Sequence, residues 1–309
     1  MVITETSYVY NAFGLKIKSN IELPELSLIN KPIESPDIFI EVTELEEYWV
    51  RNVRKQQGMV IFENNNVAFH IKATATFLIK DGKKIIASLM QGCDKNKIRL
   101  YLLGTCMGVI LMQRKVLALH GSAIAVNGKA YAFVGDSGAG KSTLASAFMN
   151  SGYKLLSDDL IPVAIINEIP YIIPSYPQQK LWGKSLQLLK IDSSKYSPLF
   201  DREDKFAIPV HSNYCDQSLE LAGIFVIEKN DRSFINIETI QNLERFRSLF
   251  NQTFRSFLIS RFQLMDWHFY ESSRIINKTK MYRVQRPSVG FTAPELVERI
   301  LEIIKKEMI

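Results

Sequence analysis

Cysteine is scarce in this chain, and the few residues that occur form no recognisable pattern. Three stand among the 309 residues, at Cys93, Cys106 and Cys215. An odd number of scattered cysteines predicts neither a disulfide framework nor a metal site, and it favours a reducing, cytoplasmic compartment. Long apolar runs are lacking too, since the stretch 100–112 is too short to cross a bilayer. No basic stretch followed by an apolar core opens the chain, so we expect no signal peptide and no membrane partner.

A large excess of charge of one sign is also missing. The formal net charge is +6 and the sequence pI is about 9.0. This mild basic balance suits an anionic nucleotide or an acidic peptide, although it is common in proteins with neither partner. No nucleic-acid-reading motif occurs, so we expect no nucleic-acid partner. With 47% hydrophobic residues, the chain can form one large domain or two modest ones.

What the sequence does contain is one glycine-rich stretch that matches the phosphate-binding pattern G-x-x-x-x-G-K-[ST]. Its residues, together with the threonine that follows, are Gly135, Asp136, Ser137, Gly138, Ala139, Gly140, Lys141, Ser142 and Thr143. An apolar, β-prone run precedes it at 129–134, and helix-forming residues follow to 149 before a stop signal at Gly152. This order of strand, loop and helix is the context that the motif requires, so we predict a P-loop that binds ATP.

The predicted chemistry of this loop follows from its residue types. Glycines let backbone N–H groups converge on phosphate oxygens, and the helix N-terminus adds the positive end of its dipole. Lys141 would reach the β- and γ-phosphates, and the Ser142 hydroxyl would ligate Mg²⁺.

A pair of aspartates, Asp158 and Asp159, ends the next β-like run, which begins at Tyr153. A β-α-β unit would bring this strand back beside the P-loop strand, with both strand ends facing one crevice. One aspartate could then ligate Mg²⁺ while the other accepts a proton from an attacking hydroxyl. The alternative is that the pair merely starts a turn, which aspartate favours.

Three blocks in this order carry a family resemblance: His120-Gly-Ser122, the glycine-rich stretch 135–142, and 152–159 with its paired aspartates. Together they resemble the core of the bacterial HPr kinase/phosphorylase family, whose nucleotide site is similar to that of phosphoenolpyruvate carboxykinase. The resemblance implies an α/β P-loop kinase. It implies that Asp158 is the catalytic base, that Asp159 holds the metal with Ser142, and that His120 and Lys141 belong to the active site.

Other blocks narrow the resemblance. The family's Glu-Ile-Arg-Gly segment is absent, and the stretch 174–183 stands in its rough place. The blocks 10–15, 21–26, 119–124 and 176–182 resemble HPr kinase-related proteins of peptide-modification clusters, among them the lasso-peptide kinases. This implies transfer of phosphate to a serine hydroxyl of a precursor peptide. A kinase of HPr or of a small molecule, and a nucleotide-binding regulator without catalysis, remain alternatives.

The rest of the chain predicts two domains. Residues 1–115 indicate an antiparallel β-rich domain that ends in a helix over 95–115, and residues 116–309 indicate the kinase domain. Lys180 stands either in a solvated loop or where it contacts phosphate or substrate. Residues 192–214 predict a loop over the site, in which Arg202 or Lys205 could meet the phosphates. An aromatic stripe over 243–257 predicts one amphipathic helix for the core or for a homo-oligomer contact.

Overall fold

The computed structural model describes residues 7–31, 34–55, 60–196, 198–199 and 202–307; for residues 54, 55, 202 and 203 it describes the backbone alone. Two large sheets and one small sheet form the described part of the chain, with helices packed against them. The structure is therefore mixed α/β, as the sequence predicts.

The first sheet has eight strands in the order β3-β1-β2-β4-β8-β7-β6-β5. Their bounds are β1 (Tyr8–Ala12), β2 (Leu15–Ser19), β3 (Ser27–Leu28), β4 (Ile38–Val42), β5 (Ile61–Glu63), β6 (Asn66–Ile71), β7 (Ala75–Lys80) and β8 (Lys84–Leu89). A tight turn with positive φ at Asn64 joins β5 to β6, and another with positive φ at Asp81 and Gly82 joins β7 to β8. Both pairs are antiparallel, which confirms the predicted hairpin turns.

The prediction of a wholly antiparallel first sheet is wrong at its centre. Strand β4 pairs in parallel with β2 on one side and with β8 on the other. Alternation of apolar and polar residues identifies a strand but carries no information about its direction. The long connection from β4 to β8 contains a helix and three strands, and this length allows a parallel return.

Helices cover this sheet. α1 (Glu47–Lys55) packs Trp49 and Val53 onto β6 and β7. The predicted helix over 95–115 is confirmed as α2 (Lys95–Tyr101), a π-helical turn (Leu102–Cys106) and α3 (Met107–Gln113). The Asp94 carboxylate caps α2 by accepting from the backbone N–H groups of Asn96 and Lys97.

The second sheet runs in the order β12-β10-β11-β18-β14-β13-β9. In addition, β20 pairs in parallel with β18. Its strands are β9 (Leu117–Leu119), β10 (Gly121–Val126), β11 (Lys129–Gly135), β12 (Lys154–Asp158), β13 (Ile161–Ile166), β14 (Ile169–Ile172), β18 (Leu219–Asn230), β19 (Asn236–Thr239) and β20 (Lys280–Pro287). The helix α4 (Lys141–Asn150) links β11 to β12 and packs its buried Leu144 and Phe148 into the core beneath the sheet.

The order of these strands corrects one expectation. β12, which ends in the aspartates, does not lie beside β11, because β10 pairs antiparallel with both and stands between them. The two strands still run in the same direction, so their carboxyl ends reach the same edge of the sheet. The insertion places Ser122, on β10, directly opposite Asp158 in the register.

A small third sheet covers the edge that carries the aspartates. It contains β15 (Gln178–Trp182), β16 (Pro198–Leu199) and β17 (Arg202–Pro209) in the order β15-β17-β16. The helix α5 (Gly183–Leu188) and a 3₁₀ turn at Ser193–Lys195 lie between β15 and β16 in the chain, and a second 3₁₀ turn at His211–Asn213 follows β17. The predicted loop over 192–214 is thus partly wrong, because residues 205–209 of β17 pair with β15. Lys180 likewise lies in a strand and not in a solvated loop.

The remaining helices are α6 (Glu244–Gln252), α7 (Phe257–Arg261), α8 (Met265–Lys278) and α9 (Ala293–Glu307). The single helix predicted over 243–257 is wrong beyond Gln252. There the chain becomes extended at Thr253, which forms a bridge with Leu119, and the Phe254 N–H donates to the Ala118 carbonyl. Pairing with β9 satisfies backbone groups that would otherwise be buried without partners, so tertiary structure overrides the helical period.

The two predicted domains are packed closely together. Leu258 and Ile259 of α7 and Tyr176 belong to the same apolar cluster as α2 and α3. The division at residues 115 and 116 stays a prediction. All three cysteines fall within the described ranges and are free thiols. No helix in the described part of the chain is long and apolar enough to cross a membrane.

Candidate functional site

A cleft of about 410 Å³ opens at the edge of the second sheet where β11, β12 and β18 end. The glycine-rich loop forms one wall, and the third sheet with the start of α9 forms the other. Predicted site residues that line it are His120, Ser137, Gly138, Gly140, Lys141, Ser142, Thr143, Asp158 and Asp159. Gly135, Asp136 and Ala139 belong to the loop but do not line the cleft.

The loop has the backbone of a phosphate-binding turn. Gly138 has φ +79° and Gly140 has φ +108°, values that side chains other than hydrogen tolerate poorly. Ala139 between them lacks a positive φ, and such alternation of φ points N–H groups into one concavity; α4 begins immediately afterwards. The Lys141 ammonium is folded back onto the loop, where it donates to the carbonyl oxygens of Gly135 (2.8 Å) and Asp136 (2.9 Å). Lys141 would therefore exchange loop carbonyls for phosphate oxygens when a nucleotide binds.

Ser142 contacts Asp158 and not Asp159. Its hydroxyl donates to Oδ1 of Asp158 at 2.9 Å, and the Ser122 hydroxyl donates to the same oxygen at 2.6 Å. The other oxygen, Oδ2, accepts from the backbone N–H of Lys180 at 2.8 Å. Asp158 is only 3% exposed, so both of its oxygens are held in fixed positions beneath the loop. Burial raises the pKa of Asp158, and the donated hydrogen bonds oppose this effect.

Asp159 lines the same cleft, is more exposed than Asp158 and is held by different partners. Its Oδ2 accepts from the Lys180 ammonium at 2.7 Å, and about a quarter (26%) of its side chain is exposed. Burial is the largest single influence on Asp159 and would raise its pKa, but the charges of Lys180, His120 and Lys205 together outweigh burial and hold the pKa well below its ordinary value. Burial would likewise lower the pKa of Lys180, and the Asp159 carboxylate, together with Tyr176 and Asp158, raises it above the ordinary value. Both groups are therefore charged near neutral pH.

His120 completes the cluster from the turn between β9 and β10. Its Nδ1 lies 3.0 Å from the Asp159 carbonyl oxygen and 3.7 Å from the Asp159 Oδ1. The ring is half-buried, and burial lowers the pKa of His120 while Asp159 partly opposes the shift. The backbone of Asp159 has φ +72°, an unusual conformation for aspartate, and it turns the two carboxylates toward different neighbours. A neutral imidazole beside a carboxylate can orient a substrate hydroxyl or pass on a proton.

Sequence reasoning missed three of the residues that organise this site. Ser122 stands in a block used for the family resemblance, yet nothing in the sequence connects it to Asp158 before the strand register is known. Arg286 donates from Nε to the Ala139 carbonyl across 147 positions of sequence, so no local signal could identify it. Gln179, fully buried, donates to the Ser142 carbonyl at 2.8 Å and accepts from Ser146. Each of these contacts depends on tertiary structure.

Lys205 and Arg202 were candidates to meet the phosphates. Lys205 lines the cleft, with its ammonium 5.6 Å from the centre of the Trp182 ring. The side chain of Arg202 lies outside the described residues, so its candidacy stays a prediction.

The side chains of the cleft offer oxygen donors for a metal ion. Within the described ranges, no three His, Cys, Asp or Glu side chains converge as a complete protein cage. Mg²⁺ in nucleotide sites needs no such cage, because it is held by one or two protein oxygens together with substrate phosphates and waters. Ser142 and Asp158, hydrogen-bonded beneath the loop, fit this description.

Comparisons with known proteins give matches among solved structures alone. No family model matches the chain, and no curated protein matches it. Among solved structures, the HPr(Ser) kinase/phosphatase from Coxiella burnetii is similar, with 12% sequence identity and a TM-score of 0.35. The alignment covers 62% of this chain and 97% of that chain. The likeness is a distant one of fold, and the narrower resemblance to lasso-peptide kinases stays a prediction.

Proposed function

We propose that this chain is an ATP-dependent kinase that transfers the γ-phosphate to a serine hydroxyl of a peptide, in keeping with the resemblance to lasso-type precursor-peptide kinases. One observation carries the proposal. A continuous set of hydrogen bonds joins the glycine-rich loop to both aspartates inside one cleft, from Ser142 through Asp158 to Lys180 and Asp159. A site that only binds nucleotide needs one carboxylate for the metal ion and has no need of a second one held in the same cleft.

The two carboxylates support different roles, and the contacts favour the reverse of the assignment made from sequence. Asp158 lies beneath the loop with both oxygens engaged and with Ser142 beside it, so we assign these two residues to Mg²⁺. When bound, the ion would neutralise charge on the β- and γ-phosphates. Asp159 is more exposed to the cleft than Asp158, and Lys180 holds one of its oxygens. We assign Asp159 to the acceptor hydroxyl.

The chain's own groups account for the remaining requirements of the reaction. Lys141 and the loop N–H groups would hold the phosphates, while Asp159 accepts a hydrogen bond from the serine hydroxyl and orients its oxygen toward phosphorus. A bond forms between that oxygen and the γ-phosphorus, the bond to the bridging oxygen breaks, and ADP leaves with the electron pair. The hydroxyl proton passes to Asp159 and then to solvent. Because the pKa of Asp159 is low, its main contribution is to position the hydroxyl rather than to remove the proton early.

The assay combines purified protein, Mg²⁺ and γ-labelled ATP with serine peptides, HPr and small alcohols, and mass spectrometry locates the phosphate. We expect label on a peptide serine. Asp159→Asn should keep ATP affinity and lose about 10²–10⁴-fold in transfer, whereas Asp158→Asn should weaken Mg²⁺-dependent ATP binding. Asp216→Asn is the matched control, because Asp216 is exposed and does not line the cleft.

The outcomes separate the alternatives. Label on HPr or on a small alcohol would replace the peptide acceptor. ATP binding without label on any acceptor would leave the regulator, and the proposal of a kinase would fall. Loss of transfer with intact binding in Asp158→Asn, and not in Asp159→Asn, would restore the roles assigned from sequence.

A further inference from the structure

A second cavity, of about 340 Å³, lies on the other side of Lys180 from the nucleotide cleft. It is enclosed by residues of α2, by the turn that contains Glu25, and by the third sheet. We call it the side cavity and define it by Glu25, Arg99, Tyr176, Lys180, Lys195 and His211, all of which line it. Its walls thus come from both halves of the chain. Of the residues that define it, Lys180 alone has a role in the reaction proposed above.

Lys180 connects the side cavity to the reacting groups. Among the described lining residues it is the one that the cleft and the side cavity share. Its backbone N–H holds Asp158 and its ammonium holds Asp159. A molecule that fills the side cavity therefore lies against the residue that positions the carboxylate assigned to the acceptor hydroxyl.

The floor of the side cavity is rigid. Tyr176 is 4% exposed, and its ring packs edge-on against Phe13 at a centroid distance of 5.6 Å. Burial raises the pKa of Tyr176, so its phenol is neutral near pH 7. The Phe13 N–H also donates to the Ser175 carbonyl, which ties the first sheet to this segment. A pre-formed surface of this kind lowers the entropic cost of ordering a ligand.

Glu25 supplies a hydrogen-bond acceptor that the described residues leave unused. Its Oε1 accepts from Arg99 Nε at 2.7 Å, while its Oε2 is buried and has no hydrogen-bond partner in the described part of the chain. Buried carboxylate oxygens nearly always have a donor. This oxygen is shielded from water in the present conformation, so a backbone N–H of an extended ligand reaches it only after the Glu25 side chain turns toward the side cavity.

The charges of the side cavity are mostly positive. Arg99 is paired with Glu25 and Lys180 with Asp159, so Lys195 supplies the net positive charge of these residues, and His211 adds a polar ring to the wall. Lys195 and His211 are exposed, so they face whatever approaches from solvent. This balance attracts an anionic ligand and disfavours a basic one.

From these contacts we infer that the side cavity binds an acidic segment of the peptide that carries the acceptor serine. The inference rests on the proposed kinase function and names its substrate class. Peptide carboxylates face Lys195 and His211, a backbone N–H donates to Glu25 once its side chain has turned toward the side cavity, and the serine reaches past Lys180 to Asp159.

The first test detects binding without catalysis. A photo-crosslinking residue replaces Asn96, which is exposed and lines the side cavity, and the control carries it at Lys154, exposed at the start of β12. The probes are three synthetic serine peptides whose flanking residues are Glu, Ala or Lys. We expect mass spectrometry to find crosslinks of the Glu-flanked peptide at position 96 and none at position 154. Absence of crosslinks at position 96 would overturn the inference.

The second test measures specificity with the same peptides. In the wild type, kcat/KM should be highest for the Glu-flanked peptide. Replacement of both exposed side chains, in Lys195→Glu with His211→Glu, should lower kcat/KM for that peptide by about tenfold and raise it for the Lys-flanked peptide. Lys195→Glu alone should shift both values in the same directions, and Lys154→Glu, which makes the same charge change as that single variant but away from the side cavity, should alter neither. An unchanged preference in the double variant would refute the inference.

The two tests also keep the inference apart from the proposed function. Crosslinks at position 96 without phosphate transfer would contradict the kinase and support the side cavity. Transfer to a serine peptide without such crosslinks would support the kinase and show that the side cavity does not bind its peptide.

Discussion

Breaking the Lys180–Asp159 pair is the sharpest test of how the site is built. Lys180→Met keeps the length and the apolar stem of the side chain and removes the ammonium, while the backbone N–H that holds Asp158 remains. The variant leaves the Asp159 carboxylate without its closest cation. Loss of one partner of a fully buried pair costs about 3–5 kcal/mol.

The expected magnitude here is smaller, because the pair is not fully buried. The side chains are 7% exposed for Lys180 and 26% for Asp159. Water can therefore solvate part of the carboxylate that remains, and we expect a loss of about 2–3 kcal/mol in the free energy of unfolding. Asp159→Asn should cost a similar amount, since it leaves a buried ammonium. In a double-mutant cycle the coupling energy should be about 2 kcal/mol.

Urea unfolding at pH 7 measures these free energies, with unchanged m-values as the sign that the unfolded states are comparable. Lys184→Met is the matched control, because Lys184 is exposed and lines the same cleft, and it should change stability by less than about 0.5 kcal/mol. Additive effects of the two single variants, with a coupling energy below about 0.5 kcal/mol, would refute the assignment of a structural ion pair.

The pH dependence of the coupling follows from the directions of the two pKa shifts. The pKa of Asp159 is depressed in the folded state, so its contribution is complete above the unfolded value and is lost as pH falls toward the folded value. The pKa of Lys180 is raised, so its contribution is complete below the unfolded value and is lost as pH rises. The coupling energy should therefore be constant between about pH 5 and pH 9.

Two further predictions concern the backbone and a buried histidine. Gly135→Ala should destabilise the protein by about 3 kcal/mol, because φ is +143° and a Cβ would overlap the carbonyl oxygen of Ile227; thermal unfolding should show a drop of roughly 6 °C in Tm. Gly128→Ala, at φ +77° in open space, is the control and should cost only about 1 kcal/mol. Burial lowers the pKa of His268 to about 4, so stability should fall by about 3 kcal/mol as pH drops from about 6.5 toward 4. His268→Gln should flatten that part of the stability profile, and an unchanged slope would mean that His268 is not the source of the pH dependence. For Gly135→Ala, an unaltered Tm would mean that the loop can move away from β18.

Much of the local structure around the site was predictable because short-range rules govern it. The strand before the loop, the helix after it and the strand that ends in the aspartates all occur at the predicted places. Hydrophobic period, glycine positions and helix-stop residues act over a few residues, so a single sequence contains them in full.

Two predictions failed where distant partners compete with a local pattern. The aromatic stripe continues at helical spacing past Gln252, yet the chain becomes extended at Thr253 because the backbone finds partners on β9. β10 separates β11 from β12, although the motif is equally consistent with neighbouring strands. In both places, backbone hydrogen bonds between residues far apart in sequence determine the outcome.

The sequence alone determined which residues form the glycine-rich loop and that two carboxylates follow it, because glycine conformation and residue chemistry are local properties. Tertiary structure alone decided what each carboxylate contacts. Ser122 reaches Asp158 from an inserted strand, Lys180 reaches Asp159 from the third sheet, and Asp159 itself turns through a positive φ. Burial and charge act through space, so adjacent aspartates of one chemistry acquire pKa values shifted in opposite directions.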